Sequence, residues 1–511
     1  MAESAGGRGV AAEHDQRGGE TERPSIGEDV EIVVVSNRQP YRHQWSDDGI
    51  EVDRPTGGLT AGLDAVVRRI DGTWIAWGDG DADAEVVDEH DRVSVPPDAE
   101  DGYPLRRVWL TDDQVDGYYY GFSNRVLWPI CHGALTRVRS EGEYWDAYLA
   151  VNERFADAVG ERVDRGDVVW LQDYHFGLLP QMLRSRVPED VLVTHFWHIP
   201  WPGWDTFRAC PHGPEIIRGL LGNDLFVVHT ERYRQNFLNC VEAAIPDAVV
   251  DRATGRVFHE DGVTTVEAYP LGVDTERILE LATDDDADER WRRLRSQYGV
   301  GEDVRVAVGV DRLDYTKGIP QRIDAVERLL EHHPEWRGAF TLMQIGSESR
   351  SRIPAYREVQ TEVVEGVNRV NARFRTDDWR PIVYTTDRLS DQELYTLYRN
   401  ADVGVVSPIR DGMNLVALEY VAAQADGDGV LVLSRQAGAH DLIGEKAVSI
   451  TPQDSDEFAE ALHEALTMPE EQRRERMAEL VETCRSFDTE VWIEDVLGSV
   501  ARLREEGHDG R

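Results

Sequence analysis

Arg312 and Lys317 share one short segment, Val310-Asp311-Arg312-Leu313-Asp314-Tyr315-Thr316-Lys317-Gly318, directly after an apolar run. Two cations held this close suit the departure of a phosphate or diphosphate, which needs fixed positive charge where negative charge develops. Arginine brings a planar fork and lysine a compact point charge. A competing reading pairs Arg312 with Asp311 or Asp314 and leaves Lys317 exposed. Lysine usage speaks against it: Lys317 and Lys446 are the only lysines among 55 Lys+Arg residues. A second segment, Ser407-Pro408-Ile409-Arg410-Asp411-Gly412-Met413-Asn414-Leu415-Val416, sets an Asp-Gly turn ahead of a helix starting near Asn414. The free N–H groups of such a start, Gly412 to Val416, suit a phosphate or a sugar hydroxyl. Asp411 is placed to accept from sugar hydroxyls, and Glu419, lying in the helix, from a ribose diol. A plain capped turn explains the segment equally well.

A third group lies in the first half of the chain. Gln172-Asp173-Tyr174-His175 and His195-Phe196-Trp197-His198-Ile199-Pro200-Trp201-Pro202 each follow an apolar run. Asp173, His175, His195 and His198 could suggest a metal, but they sit on different elements and do not match the HExxH spacing. Substrate binding fits polar residues at strand ends better, with His195 read as a core histidine. Val35-Ser36-Asn37-Arg38 and the following Thr56-Gly57-Gly58-Leu59 offer a cation and a glycine pair that lets backbone approach a phosphate. The glycines lack the GxGxxG pattern, so a hydride-transferring dinucleotide enzyme is poorly supported. Tyr118 to Pro129 is rich in aromatic residues, which suits a core and also suits a pyranose face.

These residues need elements to position them. Apolar, β-branched runs recur at Val30–Ser36, Trp74–Trp77, Val168–Leu171, Leu192–Trp197, Leu225–His229 and Val263–Tyr269, then at Val304–Val310, Phe340–Gly346, Ile382–Thr385, Val403–Val406, Gly429–Leu433 and Ala447–Ile450. Lacking polar alternation, they predict strands buried on both faces of parallel sheets, with helices between them. The polar stretch Asp274–Glu302 predicts a junction of two doubly wound α/β domains. Ligands of such sheets bind beyond the carboxyl ends of the strands, which is where the first three groups above fall. The expected organisation is a disordered tail over 1–27, one domain over 28–275, a second over 276–485 and a terminal helix over 486–511. The acidic strings Asp79–Asp83 and Asp284–Asp286 read as surface.

Composition narrows the function classes. The 511 residues carry a formal net charge of -42, which disfavours nucleic acid and anionic membrane as partners. Acid-rich, lysine-poor usage resembles adaptation to a salty cytoplasm, where screening makes a dense acidic surface tolerable. The four cysteines form no CxxC pair, against a disulfide framework or thiolate metal site. No apolar run reaches the roughly 18 residues of a membrane span, and the N-terminus lacks a signal-peptide apolar region. A cytoplasmic protein is expected.

Taken together, the segments VVVSNR, TGGL, YYYGFSNRVLWP, VVWLQDYHFGLLP, HFWHIPWP, VGVDRLDYTKG and VSPIRDGMNLVALEYVAAQ resemble the trehalose-6-phosphate synthases, a retaining glycosyltransferase family, over about Glu31 to Val500. The resemblance implies a GT-B fold: two Rossmann-like domains facing across a cleft, the last helix returning to the first domain. It implies glucose transfer from a nucleotide-glucose, UDP or GDP, to glucose 6-phosphate, with no metal or other cofactor. By the same resemblance Arg312 and Lys317 hold the donor diphosphate, approached by Gly58 from the other domain. Asp411 and the backbone of Gly412, Met413, Asn414, Leu415 and Val416 hold the donor glucose and phosphates, and Glu419 the ribose. Arg388 sits near the nucleotide. Arg38, Tyr119, Trp128 and Arg350 bind the acceptor, with Trp77 lining its side; a slip in the Gly346–Arg352 register would exchange Arg350 for Arg352. Asp173 orients the acceptor hydroxyl and His198 contacts the transferred glucose.

The implied mechanism is front-face attack in which the leaving phosphate takes the acceptor proton, so Asp173 positions rather than forms a covalent bond. Leu418 stands where the family usually has lysine. A glucosylglycerol-phosphate synthase and a silent sugar-phosphate sensor are the alternatives on the same fold. A pyridoxal-phosphate phosphorylase would need a Schiff-base lysine, for which Lys446 lacks the context. The resemblance is compatible with a homo-oligomer. With the chain ending soon after the second domain, a separate phosphatase is expected to act on the product.

Overall fold

A computed structural model describes residues 30–54, 63–64, 67–68, 72–97, 99, 102–260 and 262–509. The strands are β1 (Ile32–Ser36), β2 (Arg42–Ser46), β3 (Gly49–Asp53), β4 (Thr73–Trp77), β5 (Arg92–Val95), β6 (Tyr103–Val108), β7 (Val168–Gln172), β8 (Leu192–Trp197), β9 (Leu225–Val228), β10 (Val249–Asp251), β11 (Arg256–His259) and β12 (Gly262–Ala268), followed by β13 (Arg305–Arg312), β14 (Phe340–Ser347), β15 (Ile382–Thr385), β16 (Val403–Val406), β17 (Val430–Ser434) and β18 (Val448–Ile450). Strands read from the sequence as apolar runs are all present, and each pairs in parallel with at least one neighbour.

The first sheet has ten strands in the order β10-β11-β12-β9-β8-β7-β1-β4-β6-β5. Pairing is parallel from β12 to β6 and antiparallel at both edges. The second has six strands, β15-β14-β13-β16-β17-β18, all parallel. The two-residue period of a strand divides β1 between two cores. Val33 and Val35 join the core that holds Tyr118 and Trp128, while Ile32 and Val34 join the one that holds Trp492. The second sheet is likewise covered on both faces.

Helix Thr489–Asp509 belongs to the first sheet although it is last in the chain. Trp492 is fully buried, its ring 5.3 Å from Trp170 and 5.2 Å from Phe196. Truncating such a side chain to alanine costs about 3–5 kcal/mol.

The edge elements beside the first sheet were less legible. Asp83, assigned to acidic surface by its sequence context, is buried. It pairs with the equally buried Arg107 at 2.9 Å and accepts from the His43 backbone N–H at 2.8 Å. A charge at 0% exposure persists only when paired and hydrogen-bonded, and Arg107, two strands away from the acidic string, supplies that partner.

Strand order decides where ligands sit. In the first sheet the chain winds one way from β1 through β4 and the other way from β7, so order reverses between β1 and β7. In the second it reverses between β13 and β16. Crevices open at the carboxyl ends of strands at such reversals. Arg38 follows β1, Asp173 follows β7, Arg312 ends β13 and Asp411 follows β16.

Candidate functional site

On the second sheet the loops after β13 and β16 are laced together. Arg322 is fully buried and donates from Nη1 to Asp311 Oδ2 (2.8 Å) and Gln344 Oε1 (2.7 Å), and from Nε to Ser407 Oγ (3.1 Å). Asp314 Oδ1 accepts from the Thr316 N–H and hydroxyl, both at 3.0 Å, and so shapes the turn. Neither aspartate is therefore used by Arg312, which makes no ion pair among the described residues. Its guanidinium lies 5.5 Å from the centre of the Trp128 ring across the cleft. Gly318 has a φ of +65°, and a β-carbon there would lie 2.0 Å from the Ser407 carbonyl oxygen. Only glycine lets the two loops meet this closely.

Lys317 turns inward, its Nζ 2.5 Å from Asp411 Oδ2. Asp411 also accepts from the Gly412 N–H and from Asn414 Nδ2, both at 2.9 Å. Burial raises the affinity of this carboxyl for a proton, but the Lys317 charge outweighs it, and Asp411 titrates below the usual range. Gly412 faces the other sheet: a β-carbon there would lie 2.1 Å from the His198 carbonyl oxygen. Tyr233 of the first unit donates to the Asp411 carbonyl oxygen at 2.8 Å. Helix Leu415–Ala422 then begins with Asn414 at φ 76° as its cap, and that cap's side chain accepts from none of the first-turn N–H groups. The Glu419 carboxyl meets no cation or hydrogen-bond donor among the described residues; burial, with Asp391 nearby, pushes its pKa up to about 7.

Facing this is the first sheet. Asp173 has φ 72° and ψ 173°, a region essentially reserved for glycine. Its N–H donates to the Phe196 carbonyl at 2.7 Å, its carbonyl accepts from His195 Nε2 at 2.9 Å, and its carboxylate accepts from the Tyr174 N–H at 2.9 Å. His195 thus holds backbone rather than substrate, and is fully buried. Burial lifts the Asp173 pKa to about 6, tempered by backbone N–H groups and by Arg350 and Arg312. His198 donates from Nε2 to Gln172 Oε1 at 2.8 Å and stacks on Phe196. Burial, with His229 beside it, keeps this imidazole neutral.

Tyr118 and Tyr119 lie on a π-helical stretch, Val115–Leu127, an uncommon geometry that recurs at functional sites. Arg38 donates to the Tyr119 hydroxyl at 3.3 Å. Burial alone would raise this phenol's pKa, but the charges of Arg350 and Arg38 bring it down to about 7. Trp77 lies against the same ring at 5.9 Å. Arg350 donates to the hydroxyls of Tyr356 (2.7 Å) and Tyr174 (3.1 Å), and its guanidinium sits 4.2 Å from the Trp128 ring centre. Arg352 instead pairs with Asp116 at the surface, 63% exposed. Of the two arginines, Arg350 is the one inside the cleft. Trp128 is also stacked by His132 at 4.2 Å, and its buried indole N–H has no protein partner.

Two polar clusters therefore face one another at the two strand-order reversals. The sequence pattern of glycosyltransferase family 20 matches residues 30–502. The chain belongs to glycosyltransferase family 20. It is 34% identical over 482 residues to the UDP-forming α,α-trehalose-phosphate synthase of Pichia angusta, covering 92% of this chain and 99% of that one. An Escherichia coli structure bound with UDP-2-fluoro glucose superposes with a TM-score of 0.81 at 31% identity, over 93% of this chain and 99% of that one. A Burkholderia xenovorans UDP-forming α,α-trehalose-phosphate synthase in complex with glucose 6-phosphate gives 0.81 at 30% identity, over 92% and 99%. The architecture is the GT-B fold of these structures.

Within this family 20 chain most of the expected site residues that the structure describes come together, and Arg388 does not. Gly58 lies outside the described residues. Arg388 is 62% exposed and paired with Asp53 Oδ1 at 3.3 Å, at the rim formed by the β2–β3 hairpin. Sequence reasoning passed over Tyr174, Tyr356 and Arg322, and read Asp314 only as a competing partner for Arg312; these residues hold the site rather than face its contents. Arg322 carried no signal, being one of many arginines in a helix. Tyr174 stood beside Asp173 and was legible only as an aromatic neighbour. No described helix is long and apolar enough to cross a membrane, and among the described residues no metal-ligating group converges on the cleft.

Proposed function

We propose that this chain transfers glucose, with retention of configuration, from UDP-glucose to glucose 6-phosphate, forming α,α-trehalose 6-phosphate. The observation that carries the reading is the opposition of two cation pairs, Arg312 with Lys317 and Arg38 with Arg350, across one cleft. One pair serves a departing diphosphate and the other a bound phosphate monoester. UDP as the donor nucleotide rests on the relatives, whose names specify UDP-forming synthases.

In this reading residues 276–485 take the donor and residues 28–275 the acceptor. Arg312 and Lys317 neutralise the diphosphate as the glycosidic bond lengthens. Asp411 fixes Lys317 and offers an oxygen to the donor glucose, the N–H groups from Gly412 to Val416 meet its hydroxyls and phosphate, and Glu419 accepts from the ribose diol. Arg38 and Arg350 grip the 6-phosphate, with Tyr119 and Trp128 closing around it and Trp77 beside them. Asp173 accepts from the acceptor and sets the angle of its attacking hydroxyl. His198, neutral, meets the transferred glucose. The acceptor hydroxyl attacks on the face the diphosphate leaves, its proton passing to the departing phosphate oxygen; the bond formed is C1–O to the acceptor and the bond broken is C1–O to the diphosphate. Arg388 would reach the nucleotide only by leaving Asp53.

The test is incubation with glucose 6-phosphate and, separately, UDP-, GDP- and ADP-glucose, with the product linkage read by NMR. An α,α-1,1-linked disaccharide phosphate with UDP-glucose is expected. A β linkage, or turnover only with other acceptors, would overturn the assignment.

A further inference from the structure

Far from the cleft, the turn after helix Ile319–His332 meets helix Ser455–Thr467 on the outer side of the second sheet. His333 and His463 stack there with ring centres 3.7 Å apart and planes within 10°. Surface histidines often contact carboxylates, so the bare cluster is unremarkable; its hydrogen bonds carry more information. Glu460 Oε1 lies 3.0 Å from His333 Nε2. A carboxylate only accepts, so Nε2 carries the proton. The other ring nitrogen, Nδ1, lies 3.5 Å from Glu335 Oε1. On His463, Nδ1 accepts from the Trp336 indole N–H at 3.1 Å. Indole is a donor only, so this nitrogen presents a lone pair.

We propose that His333, Glu335 and His463 form a binding site for one divalent transition-metal ion of zinc-like ligand preference. One ligand atom from each lies within 4.8 Å of the other two. Two imidazoles and a carboxylate match the ligand types of zinc sites, with bond lengths of about 2.0–2.2 Å. Ligands on such bonds at tetrahedral angles stand about 3.4 Å apart, close to the 3.5 Å between His333 Nδ1 and Glu335 Oε1. Glu460 completes the arrangement: a carboxylate on the far nitrogen fixes the imidazole's tautomer and raises its basicity toward a metal. The ion takes the place of the proton or solvent between His333 Nδ1 and Glu335. It also takes the His463 lone pair from Trp336, and the stacked rings must turn to aim at it. A fourth position stays open to water. Such an ion would tie the turn Pro334–Trp336 to helix Ser455–Thr467, acting on stability rather than on transfer chemistry.

The probe is ZnCl2 titrated by calorimetry into the full chain after chelator treatment, with thermal unfolding measured in parallel. One equivalent should bind and raise the unfolding temperature. Glu335→Gln, on a 58% exposed side chain that folding does not need, should weaken binding at least about tenfold. Glu460→Gln should weaken it by about 10–100-fold. His463→Ala should abolish it, and Trp336→Phe should bind as tightly as the parent or more so. Zinc affinity equal in the parent and in Glu335→Gln and His463→Ala would overturn the site, as would no binding by the parent.

Discussion

Lys317 Nζ and Asp411 Oδ2 stand 2.5 Å apart, joining the loops after β13 and β16, with the two side chains only 13% and 14% exposed. The pair sits where the donor diphosphate and glucose are proposed to meet, so each member has two tasks. Lys317 holds Asp411 ionised and opposes phosphate charge; Asp411 keeps Lys317 aimed. Lys317→Ala should lower kcat by about 10²–10³-fold, the cost of one lost group that stabilises developing charge. Asp411→Asn leaves a nearly buried ammonium without its counter-charge, which costs about 3–5 kcal/mol in stability. Lys317→Ala strips the equally buried Asp411 of its counter-charge, so thermal unfolding should show both variants melting lower than the parent. The kcat measured on the folded fraction separates the loss of phosphate stabilisation from the loss of stability.

Tyr119 stands between Arg38 and Arg350, and its hydroxyl has a pKa brought down to about 7. Above that pH a phenolate competes with the acceptor phosphate for the same two guanidinium groups. KM for glucose 6-phosphate should therefore rise between pH 7 and 9 while kcat changes little. Tyr119→Phe should remove the rise and keep KM flat over the same range. Initial rates at saturating UDP-glucose would show this, and a parent KM independent of pH would refute it.

Glu419 is tested by two trends of opposite sign. Its folded pKa is raised from 4.5 to about 7, so the native state binds the proton more tightly than the unfolded chain. Its stability contribution is full below about pH 4.5 and is lost as pH rises through about 7. Affinity for the donor runs the other way, since the ionised carboxylate accepts more strongly from a ribose diol. The difference between charged and neutral hydrogen bonds, about 1 kcal/mol, predicts roughly a fivefold fall in KM for UDP-glucose from pH 6 to 8. Glu419→Gln should flatten both curves. Melting temperatures and donor KM values measured on the same samples provide the check.

What the chain reveals by itself follows from how local each signal is. Buried parallel strands are written as unbroken apolar runs, so β1, β7, β13 and β16 were visible, and with them the loops that carry Arg38, Asp173, Arg312 and Asp411. Lys317 stood out because lysine is so scarce. Short edge strands such as β5, β10 and β11 have no such run. The burial of Asp83 depends on Arg107, and the orientation of Arg350 on Tyr174 and Tyr356; these contacts are long-range and leave no spacing to read. The π-helical turn around Tyr119 was equally hidden, since its aromatic residues fit a core or a sugar face alike.

Asp173 offers the sharpest separation of stability from function. Its backbone, at φ 72° and ψ 173°, costs a non-glycine residue about 1–3 kcal/mol. The strain persists because the Phe196 carbonyl and His195 grip the peptide on either side at 2.7 and 2.9 Å. Its carboxyl is further disfavoured as an ion by burial, with a pKa of about 6. Asp173→Gly relieves the strain and removes the desolvated charge, at the loss of one hydrogen bond to the Tyr174 N–H. The net expectation is a gain of about 1 kcal/mol, or roughly 2–4 °C in Tm for a unit of this size. Activity should fall by at least about 10²-fold, because the acceptor hydroxyl loses the group that orients it. Asp173→Asn keeps the strain and should be active only weakly, without the gain in Tm. A glycine variant that melts lower than the parent would show that the backbone there is held for stability and not for the acceptor.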